Sequence, residues 1–252
     1  MYFIDVQGTL ISDENKSLIK GASELLKLLN ARNIPYVIIT NNTKDLNFLQ
    51  NLRKKGLEIK ENAYIDPFCV LENMLRPCAV AAFGSDEFLF SLENLGFKLD
   101  FNNPKALLVA SWDDFKFKDF AKMIELAQKD TKIIAMHETS IYKKNGLAYP
   151  GVGAIMKMLE YATNAKYEVV GKPSVAFYEV ALDLIKKQAL KAEFKDICII
   201  SDDYKGDLIK AKALKMKTAL VLSGKIKDAK MCEREFLDKI YPSVYEIFKE
   251  LE

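Results

Sequence analysis

The sequence predicts an α/β protein: a doubly wound parallel sheet core with an inserted α/β cap domain. Three observations carry that prediction. The runs Tyr2–Ile4, Tyr36–Ile39 and Ile197–Ile200 are uninterruptedly apolar, as strands buried on both faces are. Between them Leu and Ile recur at three- and four-residue intervals, the period of an amphipathic helix. After Asp66-Pro67 the same alternation begins again with unrelated residues, so 67–167 reads as a second α/β unit set into a core made of 1–66 and 168–252.

The first strand ends at Asp5, and Gly8-Thr9 turns the chain away. Leu18, Ala22, Leu25, Leu26 and Leu29 mark a helix, Pro35 restarts the chain, and the strand 36–39 ends at Thr40-Asn41-Asn42. A polar helix follows through Leu52 to Gly56. Strand–helix–strand–helix at this spacing predicts parallel pairing with right-handed crossovers. In the inserted unit, helices are expected around Val70–Leu75 and Ser85–Leu95, and strands at Ala79–Phe83, Ala106–Ala110 and Lys132–Met136. A further helix carries Phe117, Phe120, Ala121, Ile124 and Ala127, with the aromatic residues of 115–120 as core and Trp112-Asp113-Asp114 as its start. Pro150–Gly153 enters another helix. Tyr167–Val170 leads into Gly171-Lys172-Pro173-Ser174, where Ser174 suits a helix N-cap. The run 196–200 ends at Ser201-Asp202-Asp203, the strand 218–222 ends in the turn Ser223-Gly224, and the remainder reads as charged and helical.

Composition narrows the function classes. The 252 residues carry 37 Lys+Arg against 35 Asp+Glu, a net charge of +2, which gives no electrostatic case for nucleic acid or an anionic membrane. Four cysteines lack metal-ligand spacing, no apolar stretch reaches the ~20 residues of a membrane span, and no signal segment opens the chain. The expectation is a cytoplasmic location.

Three apolar strands thus end in Asp5, Thr40-Asn41 and Asp202-Asp203, with Lys172 opening a helix. Ligands of open α/β sheets bind beyond the carboxyl ends of the strands. Carboxylates converging there repel one another and call for a cation; hard oxygen donors suit Mg²⁺. A Thr hydroxyl, loop amides and a Lys can hold phosphate oxygens. An Asp beside a transferring phosphoryl group can serve as nucleophile.

The ordered motifs D-x-x-G-T-L, T-N-N, G-K-P-S and D-D-x-x-x-D resemble the haloacid dehalogenase superfamily. The inserted unit, with P-G-V-G-A and the later V-L-S-G, is similar to its 4-nitrophenylphosphatase-like branch, subfamily IIA. The resemblance spans essentially the whole chain. It implies Asp5 as nucleophile and Mg²⁺ ligand, Thr40 and the Asn41 amide as phosphoryl binders, and Lys172 as the neutralising cation. It further implies Asp202 as metal ligand and Asp207 as a residue orienting metal-bound water. Asp203 receives no role, and Ser201 replaces the family's usual Gly. The loop with His137 and Glu138 would face the cleft and help choose substrate, whereas taken alone His137 reads as an ordinary exposed histidine. Caps of this branch can mediate dimers, so a homodimer is among the expectations.

Gln7 departs from the pattern. Phosphatases of the family carry Asp there, which protonates the leaving oxygen and then activates water. Gln donates a hydrogen bond but exchanges no proton near neutral pH, although its backbone carbonyl is still available to the metal. The expectation is a Mg²⁺-dependent phosphatase of a small phosphorylated metabolite, working through an aspartyl-phosphate on Asp5 and slowed by Gln7. The alternative is an impaired relative that binds a phosphometabolite or a protein.

Overall fold

The computed structural model describes residues 1–144 and 147–252. In chain order the elements are β1 (Tyr2–Asp5), α1 (Ala22–Ala31), β2 (Tyr36–Ile39), α2 (Phe48–Lys54), β3 (Tyr64–Ile65), α3 (Pro67–Met74), β4 (Ala79–Phe83), α4 (Asp86–Asn94) and β5 (Lys98–Leu99). There follow β6 (Ala106–Val109), α5 (Phe117–Ala127), β7 (Lys132–Ala135), β8 (Ile141–Lys144), β9 (Leu147–Pro150), α6 (Val152–Thr163) and β10 (Tyr167–Val169). The chain closes with α7 (Val175–Lys186), β11 (Cys198–Ser201), a π-helical turn at Tyr204–Leu208, α8 (Ile209–Ala213), β12 (Lys217–Val221), β13 (Lys239–Tyr241) and α9 (Val244–Leu251).

Contacts divide the chain into two compact units, Met1–Thr40 with Asn47–Ile65 and Tyr178–Glu252, and Asn41–Leu46 with Asp66–Phe177. Relative to the expected boundaries, 41–46, 66 and 168–177 group with the inserted unit. Hydrogen bonds account for this: Lys172 N–H donates to Asn41 Oδ1 at 2.7 Å, and Ser91 Oγ donates to the Lys44 carbonyl at 3.1 Å.

The first unit holds a six-stranded parallel sheet in the order β13-β12-β11-β1-β2-β3. The chain winds outward from β1 in one direction and returns through β11 to wind in the other, so β1/β11 is the topological switch point, where the crevice of a doubly wound sheet opens. Ile4, Ile38, Ile200 and Val221 from the strands and Leu25, Leu26, Leu29, Val244 and Ile247 from α1 and α9 form one buried cluster. Each such side chain contributes about 1.5–3 kcal/mol when removed from water. A Ser243 capping box with Glu246 starts α9.

The second unit is a separate five-stranded parallel sheet, β10-β7-β6-β4-β5, beside the antiparallel hairpin β8–β9. Leu107, Val109, Ile133 and Ala135 pack against Met123 and Leu126 of α5 and Ile155, Met156 and Leu159 of α6. Asp66 caps α3 by accepting the Phe68 and Cys69 N–H groups, with Pro67 at the first helical position, where its missing donor costs nothing. Ser174 Oγ accepts the Phe177 N–H at 3.2 Å, so the expected cap of α7 forms.

Several expectations are corrected. The tail is not purely helical, since β13 extends the core sheet. α5 begins at Phe117, which leaves Trp112–Asp114 in a loop, and Phe117 itself is 91% exposed while Phe115 and Phe120 are partly buried. His137 is only 5% exposed.

Candidate active site

The first unit gathers its carboxylates at the switch point. Asp5 is the last residue of β1, level with Ile39 of β2, so Thr40 lies one residue further on that strand. On the other side Ile4 pairs with Ile200, which sets Asp202 just past the end of β11. Asp5, Thr40, Asp202 and Asp207 are all buried. Thr9 Oγ1 donates to Asp5 Oδ2 at 3.4 Å, and the Lys225 amide donates to Asp202 Oδ2 at 2.6 Å.

Two glycines make room for Asp202. Gly8 has φ +72°, a left-handed conformation that side chains disfavour, and a Cβ there would come within 2.2 Å of Asp202 Oδ2. A Cβ on Gly224 would come within 1.9 Å of the same oxygen. Ser223 Oγ donates to the Gly8 carbonyl at 2.7 Å and ties the two turns together. This collar was not assigned from sequence; its signal was the strand-ending Ser223-Gly224 turn.

Ser201 and Asp203 gain definite roles. Ser201 Oγ donates to Asp207 Oδ2 at 2.7 Å and accepts the Asp203 N–H at 3.0 Å, which fixes Asp207 from below. Asp203 accepts the Gly206 N–H at 2.8 Å and forms an ion pair with Lys225, so its charge is engaged there. Tyr178 is fully buried and stacked on Phe3, with ring centroids 6.2 Å apart. Burial, then the carboxylates of Asp207, Asp5 and Asp203, holds its phenol well above the usual tyrosine range.

The electrostatics ask for a cation. Burial, reinforced by the Asp5 carboxylate, pushes Asp202 up to about 8, against the partial relief of the Lys225 amide. No cluster of three or more His, Cys, Asp or Glu suited to a metal occurs among the described residues. Two carboxylates and a backbone carbonyl are nonetheless a donor set that fits Mg²⁺, which keeps several waters. A pH dependence follows. Between the ordinary Asp value of 3.8 and about 8 the folded protein holds a proton on Asp202 that the unfolded chain has lost, so metal-free stability falls as pH rises through that window. Mg²⁺ bound there would displace that proton, so its affinity should rise about tenfold per pH unit below pH 8. Melting temperatures from pH 5 to 9, with EDTA or with Mg²⁺, should diverge as pH increases. A Mg²⁺ effect independent of pH would sink this account.

Gln7 is exposed and lines a cavity of about 500 Å³ together with Ile11, Lys16, Phe48, Lys54 and Lys55. The Gly8 N–H donates to the Ile11 carbonyl at 2.8 Å, fixing the turn that carries it.

The second unit holds the remaining predicted residues. Asn41 brackets Lys172: Oδ1 accepts the Lys172 N–H at 2.7 Å and Nδ2 donates to the Lys172 carbonyl at 3.3 Å. The Glu138 N–H also donates to that carbonyl, at 3.1 Å. Glu138 Oε1 accepts the Tyr167 hydroxyl at 2.6 Å, so Glu138 serves this packing. A Cβ on Gly171 would meet the Met136 carbonyl at 2.3 Å, Asn41 Oδ1 at 2.7 Å and His137 Cβ at 2.9 Å. Asn41, His137, Glu138 and Lys172 are therefore brought together.

Comparison with known proteins agrees with the motifs. Residues 2–98 match the family described as haloacid dehalogenase-like hydrolase, and residues 169–247 match HAD-hydrolase-like. The haloacid dehalogenase-like hydrolase domain-containing protein 2 of Bos taurus is 28% identical over 251 residues, 96% of this chain and 89% of its own. The phospholysine phosphohistidine inorganic pyrophosphate phosphatase of Homo sapiens is 27% identical across 89% of this chain and 83% of its own. The solved p-nitrophenyl phosphatase from Archaeoglobus fulgidus shares the fold, with a TM-score of 0.83 at 22% identity over 99% and 98% of the two chains.

Proposed function

We propose that this chain, which belongs to the haloacid dehalogenase-like hydrolases, is a Mg²⁺-dependent phosphatase of a small phosphorylated metabolite, slowed by Gln7. The observation that carries this reading is Asp5 at the end of the central strand, in the field of Asp202, at the switch point of a doubly wound sheet. Relatives of matching fold that bear phosphatase names support the reaction class.

In this reading an Asp5 carboxylate oxygen attacks phosphorus as the bond to the leaving oxygen breaks. Water then attacks the phosphorus of the aspartyl-phosphate, releasing inorganic phosphate and restoring Asp5. Mg²⁺, held by Asp5, Asp202 and the Gln7 carbonyl, would offset the charge of nucleophile and phosphoryl oxygens. The motifs assign Thr40, the Asn41 amide and Lys172 to those oxygens, and Asp207, held by Ser201, would orient water kept by such a cation. Leaving groups that depart without a proton, such as aryl and acyl phosphates, suffer least from Gln7.

Gln7 also favours a second reading, a binding protein for a phosphometabolite or a protein partner. Hydrolysis of 4-nitrophenyl phosphate separates the two. The phosphatase reading expects slow turnover that EDTA abolishes and Mg²⁺ restores. Phosphate binding without turnover supports the second reading, and turnover of an alkyl phosphate as fast as that of 4-nitrophenyl phosphate refutes the role given to Gln7.

A further inference from the structure

The carboxyl edge of the second unit's sheet carries a polar row in register. Phe83 pairs with Val109, Val109 with Ala135, and Ala135 with Val169. Two residues beyond these positions stand Ser85, Ser111, His137 and Gly171. The ladder continues past the strand ends, with Ala110 N–H to the Phe83 carbonyl at 2.8 Å, Met136 N–H to Val109 at 2.9 Å and Val170 N–H to Ala135 at 3.1 Å. The ladder thus reaches one residue short of the row, where a Cβ on Gly84 would lie 3.1 Å from Ala110 Cβ, and the Ser111–His137 hydrogen bond carries the pairing into the row itself. Adjacent strands lie about 4.8 Å apart, so the row from His137 to Ser85 spans roughly 10 Å.

Its hydrogen bonding leaves hydroxyls to spare. The Thr139 main-chain N–H, which can only donate, lies 3.3 Å from His137 Nδ1. The ring proton of a neutral imidazole therefore sits on Nε2 and is donated to Ser111 Oγ at 3.0 Å. Ser111 accepts that bond, and its own proton remains to be given onward. Next along the row Ser85 is 6% exposed, yet its Oγ has no hydrogen-bond partner among the described residues, although it occupies the N-cap of α4 where serine ordinarily bonds the first turn. Buried hydroxyls are normally paired, and one that is not points to a missing partner. Charge gives the row a direction. Lys172 stands at one end, next to Gly171, and Asp86 and Glu87 occupy the first turn of α4 at the other. An anion suits the lysine end only, and a neutral hydroxyl suits the serine end.

We propose that Ser111, positioned by His137, and Ser85 form a subsite for the alcohol part of the substrate, selecting phosphate esters whose alcohol carries further hydroxyls. The proposal rests on the reading of Lys172 and Asn41 as phosphate binders. Ser111 and Ser85 determine specificity, and His137 acts through Ser111.

Calorimetric titration with Mg²⁺, using inorganic phosphate, glycerol 1-phosphate and 4-nitrophenyl phosphate, tests it on the full chain. Wild type should prefer glycerol 1-phosphate to inorganic phosphate. Ser111→Ala and Ser85→Ala should each weaken glycerol 1-phosphate by five- to tenfold and leave the other two ligands within about twofold, whereas Ser111→Thr should retain the preference. Equal weakening of all three ligands, or an unchanged preference in both alanine variants, overturns the subsite. Absent turnover of 4-nitrophenyl phosphate with Ser111-dependent glycerol phosphate binding intact would count against the phosphatase reading and for the subsite.

Discussion

Asp5→Asn should reduce phosphatase turnover to background, a loss on the order of 10⁴-fold or more, as removal of a covalent nucleophile does. The amide cannot accept the phosphoryl group, so a phosphoryl or metallofluoride adduct that forms on the wild-type carboxylate should be missing from the variant. The same change has an opposite effect on stability. Asp5 is the second cause, after burial, of the raised Asp202 value. Removing its charge should bring Asp202 back toward the ordinary range and make the metal-free variant more stable than wild type near pH 8. It should also shrink the stabilisation by Mg²⁺. A variant that is inactive because it is unfolded would show the reverse in a melting experiment, so the two measurements together separate lost chemistry from lost structure.

Gln7→Asp should raise kcat by about 10²–10⁴-fold for alkyl phosphates, the usual worth of general acid–base catalysis. A hundredfold gain corresponds to roughly 2.7 kcal/mol of barrier. The gain should be much smaller for 4-nitrophenyl phosphate, whose leaving oxygen needs little help from a proton. Gln7 is exposed and lines an open cavity, so the substitution disturbs little packing and the variant should fold normally. A rate for alkyl phosphates that stays at the wild-type level would show that proton transfer is not what limits this protein, and would favour the binding role.

The legibility of this chain follows from where each element sits in its sheet. β1, β2 and β11 are flanked by strands on both sides, and their sequences are near-continuous apolar runs that identify themselves. β3, β5 and β13 are edge strands of two or three residues, with Tyr64, Lys98, Lys239 and Tyr241 among them, and nothing local distinguishes them from loop. Phe117 misled for a related reason: helical spacing gives the period of a face but not where that face ends. His137 was read as exposed because a single polar residue after a strand has no local mark of burial.

The same division runs through the site. Asp5, Thr40, Asn41, Lys172 and Asp202 could be singled out as candidates because each stands just beyond an apolar strand or at a helix start, and residue type with strand-end position is a local property; Asp207 came only from the motif it shares with Asp202. The departure at Gln7 was legible in the same way. The collar of Gly8, Ser223 and Gly224 around Asp202, the bond from Ser201 to Asp207 and the row Ser85–Ser111–His137 were not. Those depend on strand order and register, which join segments far apart in the chain through hydrogen bonds that the chain's linear order does not encode. The sequence by itself determined which groups are candidates for phosphoryl chemistry and that Gln, not Asp, stands at position 7. Only the tertiary structure decided which carboxylates share a field, which hydroxyls are left to meet a ligand, and on which unit each group is carried.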